Sequence, residues 1–178
     1  EEKIVIGKLA AEFVREDDII FIDSGTTTIE MFEFIKDKQL TIITNNIEFI
    51  NRAIPYPNLS IISIGGTLIR ETQSFGYDYN NEFLKPFNIN KAFMASTGIS
   101  IANGITNASP FETRLKNTIV NKSLETYLLV DHTKFDRHGL MTYCELDQID
   151  YLITDKTPPK TYINFFGINN IKLITPEE

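Results

Sequence analysis

Three times before Thr67 a short apolar run ends in a small polar tip, with helical spacing between one run and the next. Ile19-Ile20-Phe21-Ile22 gives way to Asp23-Ser24-Gly25-Thr26-Thr27, Leu40-Thr41-Ile42-Ile43 to Thr44-Asn45-Asn46, and Leu59-Ser60-Ile61-Ile62-Ser63-Ile64 to Gly65-Gly66. Runs this short and this apolar read as strands buried on both faces, and strands alternating with helices form a mostly parallel sheet with helices on both faces. The expected fold is therefore α/β. Right-handed crossovers bring every strand-to-helix tip to the same carboxyl edge, where open α/β sheets bind their ligands.

The first tip carries the most chemistry. Gly25 can take backbone angles closed to other residues, and the first N–H groups of the following helix have no intrahelical acceptor. An anion fits there, with the hydroxyls of Ser24, Thr26 and Thr27 as further donors, and each charge-assisted bond to a phosphate oxygen is worth roughly 1.5–3 kcal/mol. A second reading stays open: Thr27 and Glu30 match a capping box, which stabilises a helix and binds nothing.

The rest of the chain extends the pattern. Ile6, Leu9, Ala10 and Phe13 fall on one face of a first helix, and Thr27, Met31, Phe34 and Ile35 on one face of a second. Asn45 with Glu48 resembles a cap for a third, which Pro55 and Pro57 end. Residues 68–90 read as an excursion, with turns at Gly76, Asp78, Asn80 and Asn81, a short helix at Glu82-Phe83-Leu84, and Arg70 as a possible anion partner. Lys91 to Ser96 is a further strand with its tip at Thr97-Gly98, and a turn follows at Gly104.

Ser109 as N-cap, Pro110 in the first turn and Glu112 three residues after the cap begin a helix whose apolar face is Leu115, Ile119 and Val120. Glu112 and Lys116 are neighbours at i, i+4, either as a surface ion pair or as an acid and a cation looking into the ligand edge. Tyr127-Leu128-Leu129-Val130 ends at Asp131-His132-Thr133-Lys134-Phe135, which puts Lys134 at the carboxyl edge. Strands at 150–155 and 171–174, with a Pro158-Pro159 turn and a short helix between them, complete the sheet.

At 178 residues the chain is sized for one domain. A net charge of −7 argues against gripping nucleic acid over a broad face but permits one small anionic ligand. The one cysteine, Cys144, excludes an internal disulfide and reads as a half-buried filler; His132 and His138 read as solvent-facing loop residues. No metal and no cofactor are expected. No apolar run reaches the length of a membrane span and no signal peptide opens the chain, so no membrane partner is expected and the expected compartment is the cytoplasm. The sequence enters a helical pattern at once without an initiator Met, so a missing N-terminal portion is expected.

Taken in order, Asp23-Ser24-Gly25-Thr26-Thr27, Thr44-Asn45, Gly65-Gly66, Gly98, Gly104-Ile105-Thr106, Glu112, Asp131-His132-Thr133-Lys134-Phe135 and Ile149-Asp150-Tyr151-Leu152-Ile153-Thr154-Asp155 resemble the effector-binding domain of DeoR-family bacterial transcriptional regulators over essentially the whole chain. The resemblance implies a Rossmann-like sensor domain of 1–178, related in fold to ribose-5-phosphate isomerase and CoA transferases. It also implies an N-terminal winged helix-turn-helix outside this chain that binds operator DNA, a phosphorylated sugar that relieves repression, and a homo-oligomer.

Carried over by position, Asp23, Ser24, Gly25, Thr26 and Thr27 match the phosphate loop, Thr44 and Asn45 the second tip, Gly65 and Gly66 the third, Gly98 the fourth, Glu112 the acid of the later helix with Lys116 beside it, and Lys134 the lysine of the final tip. Two positions depart from the family pattern: Thr97 and Ser109 stand where acids are common. An aldose–ketose isomerase using Glu112 as base is the alternative, which the two missing acids make the weaker reading. A CoA transferase fragment with Glu112 as nucleophile is weaker still.

Overall fold

The computed structural model describes residues 1–76 and 81–176. Asp78 and Asn80, read as turn residues, lie outside them. In chain order come α1 (Glu2–Ala11), β1 (Ile19–Ile22), α2 (Phe32–Ile35), β2 (Leu40–Thr44), α3 (Ile47–Ala53) and β3 (Leu59–Ser63). A hairpin follows, β4 (Thr67–Ile69) and β5 (Ser74–Gly76), and then β6 (Lys91–Met94), β7 (Gly98–Ser100) and β8 (Gly104–Asn107). The chain ends with α4 (Pro110–Lys122), β9 (Glu125–Leu129), β10 (Met141–Cys144), β11 (Tyr151–Ile153), α5 (Lys160–Ile168) and β12 (Lys172–Ile174).

Seven of these strands form one sheet in the order β12-β11-β9-β6-β1-β2-β3, and every neighbouring pair is parallel. Side chains alternate between its faces as the pleat requires. Ile20 and Ile22 of β1, Phe93 of β6 and Tyr127 of β9 enter a core with α1, α2 and α3, while Phe21, Met94 and Leu128 enter another with α4 and α5. Both cores are apolar, which is why these strands read as unbroken hydrophobic runs.

Smaller pieces sit at the carboxyl edge. β7, β8 and β10 form an antiparallel sheet. The β4–β5 hairpin, entered through Gly65 (φ +67°) and Gly66 (φ +106°), folds back over the tip of β2, where Phe75 N–H donates to Asn45 O at 2.9 Å and Ile47 N–H to Gln73 O at 3.1 Å. α1 lies across the helical turn after β1: a Cβ on Gly7 would sit 2.7 Å from the backbone carbon of Glu30, and Phe13 packs its ring on Tyr127 and Tyr151.

Local details differ from the sequence expectation. The Thr27–Glu30 capping box does not form: the turn begins as a 3-10 segment (Thr28–Met31) with no side-chain cap, because Thr27 itself takes helical angles (φ −93°, ψ −44°) where a capping residue is extended. Phe34 is exposed, since the helix after that turn is only four residues long and shows its other side to the core. Asn46 rather than Asn45 caps α3, accepting from Phe49 N–H at 3.1 Å. Cys144 is fully rather than half buried.

Candidate functional site

Chain order reverses direction between β1 and β6, so helices leave for opposite faces there and a crevice opens at the carboxyl ends of the two strands. A cleft of about 460 Å³ occupies it. Its wall on one side is the tip after β1, Ser24 to Thr27; on the other are Ala95, Ser96 and Thr97 after β6, with Lys134 from the 3-10 turn after β9 and Glu112 and Lys116 from α4. The hairpin contributes Thr72 and Gln73 over the top.

Asp23 lies beneath the floor, with no exposed surface. Its carboxylate accepts the N–H groups of Ser24 and Ala95, each at 2.9 Å, which ties the tips of β1 and β6 together across the crevice. Lys116 Nζ completes the shell at 2.9 Å from Asp23 Oδ2 and stands 5.3 Å from the centre of the Tyr143 ring. Burial raises the Asp23 carboxyl above its ordinary value, Lys116 opposes that rise and the nearby Glu112 adds to it.

The surface Glu112–Lys116 pair is thereby replaced by something else. Both side chains are buried, because the first two turns of α4 point into the crevice, and each takes a different partner. Glu112 Oε1 accepts the hydroxyls of Ser24 at 2.9 Å, Ser74 at 2.6 Å and Thr72 at 3.3 Å. Among the described residues Glu112 Oε2 has no protein partner, leaving one carboxylate oxygen for whatever occupies the cleft.

One lysine touches the loop after β1 and another lines the cleft, and both neighbour the Asp131 carboxylate. Lys3 Nζ, from the first turn of α1, donates to Thr26 Oγ1 at 2.7 Å. Lys134 forms no ion pair among the described residues. The backbone N–H groups of Gly25, Thr26 and Thr27 donate to no protein acceptor among the described residues. Three such donors in a row form a cradle suited to an anion, with Lys3 bonded to Thr26 and Lys134 on the wall of the same cleft.

Of the residues read from the sequence, Ser24, Gly25, Thr26, Thr27, Glu112, Lys116 and Lys134 line this cleft, with Asp23 below them. The other five are placed elsewhere. The Thr44 hydroxyl donates to Ile22 O at 2.6 Å and accepts Asn46 N–H at 3.0 Å, locking two strand ends. Asn45 is buried under the hairpin, while its neighbour Asn46 reaches the cleft. Gly65 and Gly66 turn the chain into the hairpin, and Gly98 packs against the backbone of Arg137. Arg70 is exposed and does not line the cleft.

Sequence reasoning missed Lys3, Thr72 and Ser74. Lys3 sits in the first turn of α1 and carries no local mark. Thr72 and Ser74 reach Glu112 only because the hairpin folds back over β2, a pairing between distant segments.

Fold and crevice together define a Rossmann-like α/β domain with a cleft at its topological switch point. Solved structures share the fold: ribose 5-phosphate isomerase A from Methanocaldococcus jannaschii matches at TM-score 0.52 and 15% identity over 75% of this chain and 53% of its own. eIF2B delta from Chaetomium thermophilum matches at TM-score 0.58 and 12% identity over 85% and 54%. The family model of the DeoR C terminal sensor domain matches residues 1–156, and the chain belongs to that family.

Its relatives are transcriptional regulators. The HTH-type transcriptional regulator IolR of Bacillus subtilis is 37% identical over 96% of this chain and 68% of its own length. The HTH-type transcriptional repressor GlcR of the same organism is 29% identical over 100% and 69%. The lactose phosphotransferase system repressor of Staphylococcus epidermidis is 32% identical over 87% and 62%. The chain thus spans about two thirds of the length of these relatives. Among the described residues no helix is long and apolar enough to cross a membrane.

Proposed function

We propose that this chain is the effector-sensing part of a bacterial DeoR-type repressor of sugar catabolism, and that a phosphorylated sugar seated in the cleft relieves repression. The observation that carries the reading is the cradle of Gly25, Thr26 and Thr27 N–H groups, without acceptors among the described residues, in one cleft with Lys134 and Glu112. The phosphate takes the cradle. The sugar's hydroxyls, as donors, take Glu112 Oε2 and the polar groups opposite.

In this reading the operator is held by a winged helix-turn-helix that precedes the chain in a cytoplasmic homo-oligomer. Ligand binding shifts the DNA-binding equilibrium only by as much as its affinity differs between the two states. Lys3 gives a direct route, since α1 opens this domain and its first turn touches the phosphate loop.

One observation favours a second reading. A buried carboxylate with one oxygen anchored and the other free is what a sugar-phosphate isomerase needs as its base.

The deciding experiment is thermal unfolding of the chain against a panel of sugar phosphates, each beside its free sugar and inorganic phosphate, with NMR of every binder for turnover. A ligand at about 100 times its Kd adds about 2.7 kcal/mol, roughly 5–11 °C for this size. A shift with a phosphosugar but not its free sugar, without product, is the expected result. Product formation would make the domain an isomerase, and no shift with any phosphate compound would overturn the sensor reading.

A further inference from the structure

Beyond Lys134 the cleft continues. Thr97 and Lys134 line it and also line an adjoining concavity completed by Thr133, Asp136, Arg137 and His138. The two spaces meet at these two residues, and their charges differ. Glu48, Glu71 and Glu112 face the first beside Lys116 and Lys134; the second gathers Lys134 and Arg137, with the His138 ring beside them, against one acid. In a chain of net charge −7 such a local excess of cations is unusual. Neither Lys134 nor Arg137 forms an ion pair among the described residues, and the acid, Asp136, already accepts the Tyr162 hydroxyl at 2.7 Å.

The loop that presents these cations is held from several sides. Phe135 bridges to Ile99 of β7. The absence of a side chain at Gly98 lets the Arg137 carbonyl come in so close that a Cβ there would lie 2.4 Å from its oxygen. Asp136 N–H donates to Tyr162 Oη at 3.2 Å and Gly139 N–H to Thr106 Oγ1 at 2.7 Å, and Asp136 itself takes a left-handed φ of 57°. Backbone fixed on both sides keeps Arg137 and His138 at the concavity without a partner of their own, which suits a preorganised anion site.

We infer that the ligand of this domain carries two anionic groups, a phosphate at the Gly25–Thr27 cradle and a second phosphate or a carboxylate between Lys134, Arg137 and His138. This deepens the sensor reading and rests on it. A monophosphorylated sugar fills the first space and leaves the second set of cations hydrated. A phosphorylated sugar acid or a sugar bisphosphate meets both.

The test is titration calorimetry of the chain with three probes: glucose 6-phosphate, 6-phosphogluconate and fructose 1,6-bisphosphate. One or both doubly anionic probes are expected to bind about tenfold tighter than glucose 6-phosphate, and which one does so separates carboxylate from phosphate. Arg137→Ala, at an exposed position, should abolish that preference while leaving glucose 6-phosphate binding within about twofold. Equal affinity for all three probes overturns the second subsite and leaves the sensor reading standing. So does a preference that survives in both Arg137→Ala and the Arg137→Ala/His138→Ala double variant. Failure of every phosphate compound to bind overturns both readings together.

Discussion

Replacing Lys116 by Met removes the buried cation that stands beside two buried carboxylates, Asp23 and Glu112. The Lys116 side chain is 4% exposed and that of Asp23 0%, so neither is screened by solvent, and Glu112 stands close enough to raise the Asp23 carboxyl. Breaking a buried pair by deleting one partner costs about 3–5 kcal/mol, because the remaining charge is left uncompensated. At about 2–4 °C per kcal/mol for a chain of this size, the variant should melt roughly 6–20 °C below the parent at neutral pH.

The loss should depend on pH in one direction. Without Lys116 the folded Asp23 pKa rises further above its unfolded value, so protonation favours the folded state. That contribution is complete below the unfolded pKa and vanishes as pH rises through the folded one. Thermal unfolding of both proteins at about pH 8 and about pH 5 should therefore show the gap narrowing on acidification. A gap under about 2 °C at neutral pH, or one equal at both pH values, would refute the argument that Asp23 depends on Lys116 for its charge.

Ser24→Ala/Thr26→Ala should weaken phosphosugar affinity about tenfold or more by calorimetry while the chain stays folded, and unchanged affinity would remove the loop from the binding site. Gly98→Ala should destabilise the chain by about 1–3 kcal/mol in urea unfolding, since its methyl group would meet the Arg137 carbonyl at 2.4 Å. Cys144 should resist alkylation in the native state and react fully in denaturant, because burial pushes its thiol up to about 12; rapid native labelling would contradict that.

How far the site could be read in advance depended on the range of the contacts. The β1 and β2 strands, with the tips that follow them, were legible because both cores demand apolar side chains on successive residues, so Ile20-Phe21-Ile22 and Ile42-Ile43 announce themselves. Ser24 to Thr27 followed from their place at the carboxyl edge.

Contacts set by tertiary packing left weaker traces. Glu112 and Lys116 have the spacing of a surface ion pair, and nothing within α4 says that this turn faces a crevice floored by Asp23. Asn45 and Asn46 have equal capping chemistry; the hairpin backbone, by pairing with Asn45, leaves the cap to Asn46. Lys3 became part of the site only through the close crossing of α1 over Glu30 at Gly7.

The cleft is stitched from stretches far apart along the chain: the start of α1, the tip after β1, the hairpin, the first turns of α4 and the turn carrying Lys134. None of these meetings outlasts unfolding. A small molecule resting among them is a temporary seam running nearly the length of the polypeptide, and it holds the fold shut in proportion to RT ln(1 + [L]/Kd). Under the proposed sensor function, the lifetime of the protein in a protease-rich cell should then track the supply of the effector, so that abundance as well as conformation would report on it.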